Sequence, residues 1–269
     1  MATTRSPKKT PAKTPTKAPA KAAAKPMTLA EAMAALEQAG SAQTRKTYLR
    51  HGAQEPMFGT SFAALKVLVK RIKVDHALAR ALWKTKNHDA RMLAIKVADP
   101  AQVLSDELDA WAREMRVRSC GGYVAMLAAE SPLGAAKARE WMSSKDDALR
   151  AAGWILGGHL ASLDEALADD WFEKQIARIE KSIHGAPNAE REAMNMALIQ
   201  IGCRSAGLRK QATAAAKRIG VVEVDHGDTA CKTPDAASYI AKTWAHAESK
   251  GYPSPAAQER DREPMRTRC

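Results

Sequence analysis

Aromatic residues are scarce in this 269-residue sequence, and long apolar runs are missing from it. No run reaches the roughly 18 apolar residues of a membrane-spanning helix, and residues 1–26 lack the apolar segment of a secretory signal. A membrane protein or a secreted protein is therefore not expected. The sequence predicts a cytoplasmic protein, with association with a bacterial nucleoid as a narrower alternative.

Cysteine pairs and the common catalytic motifs are also missing. The four cysteines, at positions 120, 203, 231 and 269, lie far apart and form no C-x-x-C pair, which favours reduced thiols over a disulfide framework. There is no glycine-rich phosphate loop, no G-x-S-x-G motif and no H-E-x-x-H motif. The sequence thus predicts no metal and no cofactor, and it assigns no catalytic residue.

Acidic residues are absent from residues 1–26, whereas the same stretch carries Arg5 and six lysines. A segment of lysine, alanine, proline and threonine cannot bury enough apolar surface to fold, so we predict a disordered basic tail. Its cations would attract DNA without regard to base sequence. A solubilising tail with no partner is the alternative.

Signals for short amphipathic helices are abundant after this tail. Thr28 and Glu31 fit a capping box, and Leu65, Leu68 and Val69 share one helical face. Further N-cap residues recur at short intervals: Asp75, Asn87, Ser105, Ser131, Ser143, Ser162 and Ser205. The pattern predicts an all-α domain over residues 27–247 and a flexible C-terminal tail over residues 248–269.

A weak internal repeat connects two parts of this domain. Trp83 is followed after five residues by Asp89-Ala90, and 58 residues later Trp141 is followed in the same way by Asp147-Ala148. Similarity at a fixed offset is typical of stacked helical hairpins, since one hairpin cannot bury its own apolar face. We therefore predict an α-solenoid.

Basic residues mark candidate binding surfaces on this solenoid. Lys66, Lys70 and Lys73 lie opposite the apolar face of their helix, and Arg209 and Lys210 hold a similar place on a late helix. Solvated helix faces often carry such charges. Together with the basic tail, however, these residues favour a surface that binds nucleic-acid phosphates.

Four segments resemble the DNA alkylation repair family, the AlkD-like HEAT-repeat proteins: EPMFGTSFAALKVLVKRI, ALWKTKNHDARMLAIKVADP, WMSSKDDALRAAGWI and REAMNMALIQIG. The resemblance spans residues 41–245 and implies HEAT-like helical hairpins whose concave basic face binds duplex DNA. We expect the protein to be a monomer. Active members remove N3- and N7-alkylated purines. The expected DNA-binding residues also include Arg91 and Arg150, of which Arg150 matches an arginine of the family. Tyr123 and Trp154 are candidate lesion contacts, with the helical core as the alternative place for both rings.

The residues that the resemblance implies for catalysis are missing. The family's aspartate belongs on a helix that falls on VRSCGGYVAMLAAE, which contains no aspartate and no tryptophan, and Met196 replaces a second tryptophan. Glu114 and Glu130 flank this helix and are candidate substitutes for the carboxylate, with a solvated surface acid as the alternative for each. The predicted function is a DNA-binding protein of this type, either a weakened glycosylase or a lesion binder. A noncatalytic HEAT scaffold for nucleic acid or protein is the alternative.

Several reactive residue types have structural interpretations. Residues 222–236 gather Asp225, His226, Asp228 and Cys231, which would suit a metal site, a nucleophile with its base, or a well-bonded connection. We favour the connection, because the span joins the last hairpin to a closing helix.

Two histidines and one tryptophan also have structural interpretations. His88-Asp89 begins a helix, where a carboxylate suits the helix dipole, with a catalytic pair as the alternative. His159 follows two glycines and is predicted to end a helix. Trp154 lies one turn after Arg150, where it either stacks on that arginine or fills the core.

Overall fold

The computed structural model describes residues 26–115 and 121–268. The predicted basic tail, apart from Pro26, lies outside these residues, as do Cys120 and Cys269. The described ranges contain α-helices and two short 3₁₀ helices but no strand. The helices are α1 Leu29–Gln38, α2 Ala42–Arg50, α3 Phe62–Ile72, α4 His76–Lys84, α5 His88–Val97, α6 Ser105–Glu114, α7 Gly121–Ala129, α8 Gly134–Met142, α9 Asp147–Leu163, α10 Asp169–Ser182, α11 Asn188–Gly202, α12 Ala206–Ile219, α13 Ala236–Ser249 and α14 Pro255–Arg260.

Local sequence determines where several helices begin. The Thr28 hydroxyl accepts from the backbone N–H of Glu31 at 3.2 Å, and the Glu31 carboxylate accepts from the backbone N–H of Thr28 at 2.7 Å, which completes the predicted capping box. Asp75, Asn87 and Ser205 cap α4, α5 and α12 as predicted.

Helix α9 departs from the prediction. Ser143 does not cap it, because Asp146 holds that position, and the helix continues through Gly157-Gly158 to Leu163. These glycines permit close packing: a Cβ on Gly158 would lie 1.9 Å from Oε1 of Gln200 on α11. The prediction that His159 ends a helix and that Ser162 begins one is therefore wrong.

The helices stack as a solenoid of two rows, which agrees with the predicted all-α, HEAT-like architecture. We call α3, α5, α7, α9, α11 and α13 the inner row, since each of them packs on the next. The outer row consists of α4, α6, α8, α10 and α12, each paired with the inner helix that follows it. Each hairpin thus buries its apolar face against its neighbours.

The 58-residue repeat corresponds to two hairpins rather than one. It relates α4–α5 to α8–α9, and the pair α6–α7 lies between them. The indole N–H of Trp83 donates to Glu114 at 3.2 Å, and that of Trp141 donates to Asp109 at 2.6 Å. Both carboxylates belong to α6, so the intervening outer helix is bonded to the repeated tryptophans on both sides.

Residues 254–268 differ from the flexible tail expected after residue 247. We call them the return segment, because they run back across the C-terminal ends of the inner helices. The backbone N–H of Ala256 donates to the carbonyl of Cys203 at 3.2 Å, directly after α11. Arg260 donates to the carbonyl of Ser162 at 2.9 Å, near the end of α9. Unpaired carbonyls at helix ends are the acceptors in both cases.

The return segment then reaches the ends of α7 and α5. Arg266 is buried, and its guanidinium lies 3.1 Å from the carboxylate of Glu130. Burial raises the pKa of Glu130 and lowers the pKa of Arg266, while their mutual attraction opposes both shifts. The ammonium of the fully buried Lys96 donates to the carbonyls of Arg266 and Arg268 at 3.2 and 2.5 Å. The ends of four inner helices are thereby joined.

Candidate nucleic-acid interface

A groove follows the inner row and continues beside the return segment. Its first part is a cavity of about 420 Å³ between α7, α9 and α11, and its second part is a cavity of about 490 Å³ with the return segment as one wall. Met126, His159, Met196 and Gln200 line both cavities. The two cavities therefore form one groove.

The first cavity has an apolar and acidic lining. Small and apolar side chains supply much of it: Ala148, Ala151, Ile155, Ala189 and Ala193. Asp147, Glu190 and Glu192 contribute carboxylates, whereas the described lining residues include no lysine or arginine. The described residues between α7 and α11 therefore do not form the basic concave face expected from the sequence.

Arg150 is held by carboxylates at the edge of this cavity. Its Nε donates to Glu190 at 2.9 Å and its Nη2 donates to Asp147 at 2.6 Å. The hydrogen bond to Glu190 is the main reason that the pKa of Arg150 is raised, with a smaller contribution from Asp147. The sequence predicted Arg150 as a DNA contact, but Glu190 and Asp147 already compensate its charge.

Trp154 belongs to the core and not to the groove. Its ring is 1% exposed, and its indole N–H donates to the second carboxylate oxygen of Glu190 at 3.1 Å. The guanidinium over its ring comes from Arg178, 5.0 Å from the ring centre, and not from Arg150. The structure corrects the suggestion that Trp154 contacts a lesion, because a buried ring cannot reach a ligand in the groove.

Arg91 and Glu114 form a second compensated site. Their side chains form an ion pair, and the Arg91 guanidinium lies 4.8 Å from the ring centre of Trp83. Trp83 in turn stacks on Trp111 with ring centres 4.3 Å apart. Glu114 is thus bonded to both an arginine and an indole, and Glu130 is paired with Arg266. Neither substitute carboxylate lines the first cavity.

Helix α3 presents a basic face without acidic residues. We call Lys66, Lys70 and Lys73 the α3 basic surface; all three are exposed, and none forms an ion pair with a described residue. The sequence has no acid between Glu55 and Asp75. Three cations that have no ion-pair partner among the described residues are available to external phosphates.

Arg209 and Lys210 of α12 differ in their surroundings. The Arg209 guanidinium lies 4.6 Å from the ring centre of Trp244 and 3.2 Å from the carboxylate of Glu248. Lys210 is exposed. Of these two predicted contacts, Lys210 is the more accessible.

Tyr123 lies in the second part of the groove. Its ring is partly buried, 4.3 Å from the ammonium of Lys96 and 6.2 Å from the ring of Phe62. Tyr123 is thus the one of the two candidate lesion contacts that the structure places beside the groove.

Asp89 proves to be a structural residue. It is fully buried, and its carboxylate accepts from the backbone N–H groups of Phe58, Gly59 and Thr60 at 2.6, 3.1 and 2.8 Å. The His88 ring packs on Tyr48 with ring centres 5.4 Å apart. The carboxylate therefore holds the loop before α3, which favours a structural role for Asp89 over a catalytic His-Asp pair.

Residues 222–236 form a bonded connection along α11. The Asn188 side chain donates to the carbonyl of Asp225 at 2.8 Å, and a ring nitrogen of His226 lies 2.9 Å from the hydroxyl of Thr233. No group of three metal-binding side chains occurs in the described part of the chain.

Among the described helices, none is long and apolar enough to cross a membrane.

We expect a thiol-alkylating reagent to modify Cys231 rapidly and Cys203 slowly in the folded protein. Cys231 is exposed, whereas Cys203 is buried beside the second cavity, where burial raises its pKa to about 12. Mass spectrometry of peptides after brief treatment measures both rates, with the denatured protein as the control. Equal rates in the folded protein would contradict the packing of the return segment over α11.

The two-row stack and its lateral groove define a HEAT-like helical solenoid. The chain belongs to the DNA alkylation repair family, since the family model described as "DNA alkylation repair enzyme" matches residues 32–240. Uncharacterized protein Lin0241 of Listeria innocua is 28% identical over 224 residues, covering 80% of this chain and 97% of that relative. Uncharacterized protein Lmo0209 of Listeria monocytogenes has the same identity and coverage.

A solved structure is similar in fold as well. It is described as "A new family of proteins related to the HEAT-like repeat DNA glycosylases with affinity for branched DNA structures". The TM-score is 0.74 at 28% identity, and the match covers 84% of this chain and 95% of the other.

Proposed function

We propose that this protein binds branched DNA without excising a base, as a monomer that needs no cofactor. The observation that carries the proposal is the α3 basic surface, Lys66, Lys70 and Lys73, whose cations are exposed and lack ion-pair partners in the described structure. Membership of the family and the affinity for branched DNA stated for the structural neighbour support a DNA partner. Duplex arms of a branched substrate supply the phosphates.

Arg91, Arg150 and Arg209 are assigned a smaller role in this proposal. Each is paired with a glutamate in the unbound protein, so a phosphate must displace a carboxylate before it can bind. The α3 lysines have no such competitor. We propose that the predicted basic tail, residues 1–26, adds attraction that is independent of base sequence.

Replacing Lys66, Lys70 and Lys73 with glutamine is expected to weaken binding to a four-way junction by about tenfold or more and to reduce the log–log salt slope by about 2 to 3. Gel-shift titrations at several salt concentrations measure both quantities. A matched variant removes three exposed lysines of the outer helices α4 and α10, Lys84, Lys174 and Lys181, and is expected to have a smaller effect. Equal losses in the two variants would assign the effect to net charge rather than to α3.

A glycosylase is the second candidate function. Its support is the first cavity, whose lining includes Asp147, Glu190 and Glu192, because a carboxylate stabilises the cationic sugar that forms during base release. Asp147 and Glu190 form ion pairs with Arg150, and Glu192 lies 3.9 Å from a ring nitrogen of His226. Incubation with duplex DNA that contains N3-methyladenine or N7-methylguanine distinguishes the candidates. Release of either base would reject the noncatalytic proposal, and loss of release in Glu192→Gln would identify the carboxylate.

A further inference from the structure

His159 has a ring nitrogen without a partner at the point where the two cavities meet. The side chain is 6% exposed and lines both cavities. Its Nδ1 lies 3.3 Å from the side-chain nitrogen of Gln200, whereas its Nε2 is buried and has no hydrogen-bond partner among the described residues. An unpaired buried polar group is energetically unfavourable, so a ligand that pairs with this nitrogen would recover that cost.

The imidazole is a neutral group with one defined donor. Burial, with a smaller effect from Arg268, lowers the pKa of His159 to about 4, so the ring is uncharged near neutral pH. When the amide of Gln200 donates to Nδ1, the proton lies on Nε2. The ligand atom that completes the site is then a hydrogen-bond acceptor.

The surroundings of His159 favour a flat apolar group. Met126 and Met196 line the same two cavities, and methionine side chains make favourable contacts with aromatic rings. Ala151 and Ala193 leave the first cavity open beside them. A nucleobase offers such a flat surface together with acceptor atoms at its edge.

The charged residues that line the groove indicate which part of a nucleotide it can bind. Asp147 and Glu192 line the first cavity, and its described lining has no cation to compensate a phosphate. Among the described lining residues, arginine occurs farther along, where Arg262 and Arg268 line the second cavity. A phosphate is therefore disfavoured beside α7, α9 and α11, whereas an uncharged base is not.

We propose that the groove binds one unpaired nucleobase of a branched DNA, with His159 as its hydrogen-bond donor and Met126 and Met196 as its apolar contacts. This proposal rests on the proposed function, because a branch point supplies the unpaired base. A fully paired arm offers no free base edge of this kind. Binding of a base in the groove thus favours a branch point over a continuous duplex.

The experiment compares two three-way junctions with identical backbones. One carries two unpaired bases at the branch point, and the other has abasic sites at those two positions. The wild-type protein is expected to bind the first junction about tenfold more tightly, because the abasic junction offers no base to the groove. A 2-aminopurine placed at an unpaired position is expected to change its fluorescence on binding.

Two variants locate the effect in the groove. His159→Leu replaces the imidazole with an apolar side chain of similar size, and Ala151→Phe fills the first cavity from a partly exposed position on α9. Each is expected to remove the preference for the junction with bases. Ala177→Phe, at an exposed position on α10, is the matched control and is expected to keep it. Thermal denaturation verifies that each variant is folded, and Ala151→Phe decides the question if His159→Leu is not.

The outcomes separate this proposal from the one on which it rests. If the wild-type protein binds both junctions equally, or if Ala151→Phe keeps the preference, the base site is overturned while DNA binding stands. If the wild-type protein binds neither junction, the proposed function itself is overturned. A preference that is lost in both groove variants and kept in Ala177→Phe supports the base site.

Discussion

Replacing Asp89 with alanine is expected to lower the free energy of unfolding by about 4 kcal/mol. The carboxylate is fully buried and accepts three backbone N–H groups from residues 58–60, all of which would lose their partner. A buried donor left unpaired costs about 1 to 3 kcal/mol, and relaxation of the loop will recover part of the sum. Urea denaturation monitored by circular dichroism measures the change.

Asp235→Ala is the matched control for this prediction. Asp235 also accepts a backbone hydrogen bond, from Ser238, but it is an exposed N-cap of α13, so its loss is expected to cost only about 1 kcal/mol. Asp89→Asn keeps the shape but turns an amide N–H₂ toward backbone donors, so it is expected to be nearly as destabilising as alanine. If Asp89→Ala and Asp235→Ala cost the same, the loop before α3 does not depend on the buried carboxylate.

Glu190→Ala is expected to lower the free energy of unfolding by about 3 kcal/mol. One carboxylate accepts from both Arg150 and the buried indole of Trp154, so its removal leaves an indole N–H unpaired and takes a partner from a guanidinium. Urea denaturation of Glu190→Ala, Arg150→Ala and the double variant measures the coupling between the two residues. Strictly additive losses would show that the ion pair contributes nothing.

The same pair decides how DNA-binding data on Arg150 should be interpreted. If Arg150 binds a phosphate, removal of its carboxylate partner in Glu190→Ala frees the cation and raises affinity, while Arg150→Ala lowers affinity. If Arg150 has only a structural role, neither variant changes the affinity of the folded protein. Binding measured below the unfolding transition of each variant distinguishes these results.

Much of the fold could be predicted because its signals are local. Thr28, Asp75, Asn87 and Ser205 identify helix starts, since each side chain bonds to a backbone group within three residues. The repeated tryptophans indicated stacking, although not that a further hairpin lies between the copies. The family resemblance rested on such local segments and is confirmed.

The candidate site was harder to predict because it depends on distant contacts. A glycine pair suits either a helix end or close packing, and only the approach of Gln200 to Gly158 shows that α9 continues. Because α9 continues, His159 lies inside this helix, where its Nε2 is buried without a hydrogen-bond partner among the described residues. Sequence spacing likewise cannot show that Arg150 and Trp154 share Glu190, which lies 40 and 36 positions away.

The return segment also changes how the protein folds. Repeats in a solenoid normally contact only their neighbours, so such arrays can fold and fray one repeat at a time. Here Lys96 is bonded to Arg266, which lies 170 positions later. The ammonium of Lys96 on α5 can be buried only after residues 266–268 have been synthesised, and we expect the hairpins between them to unfold together.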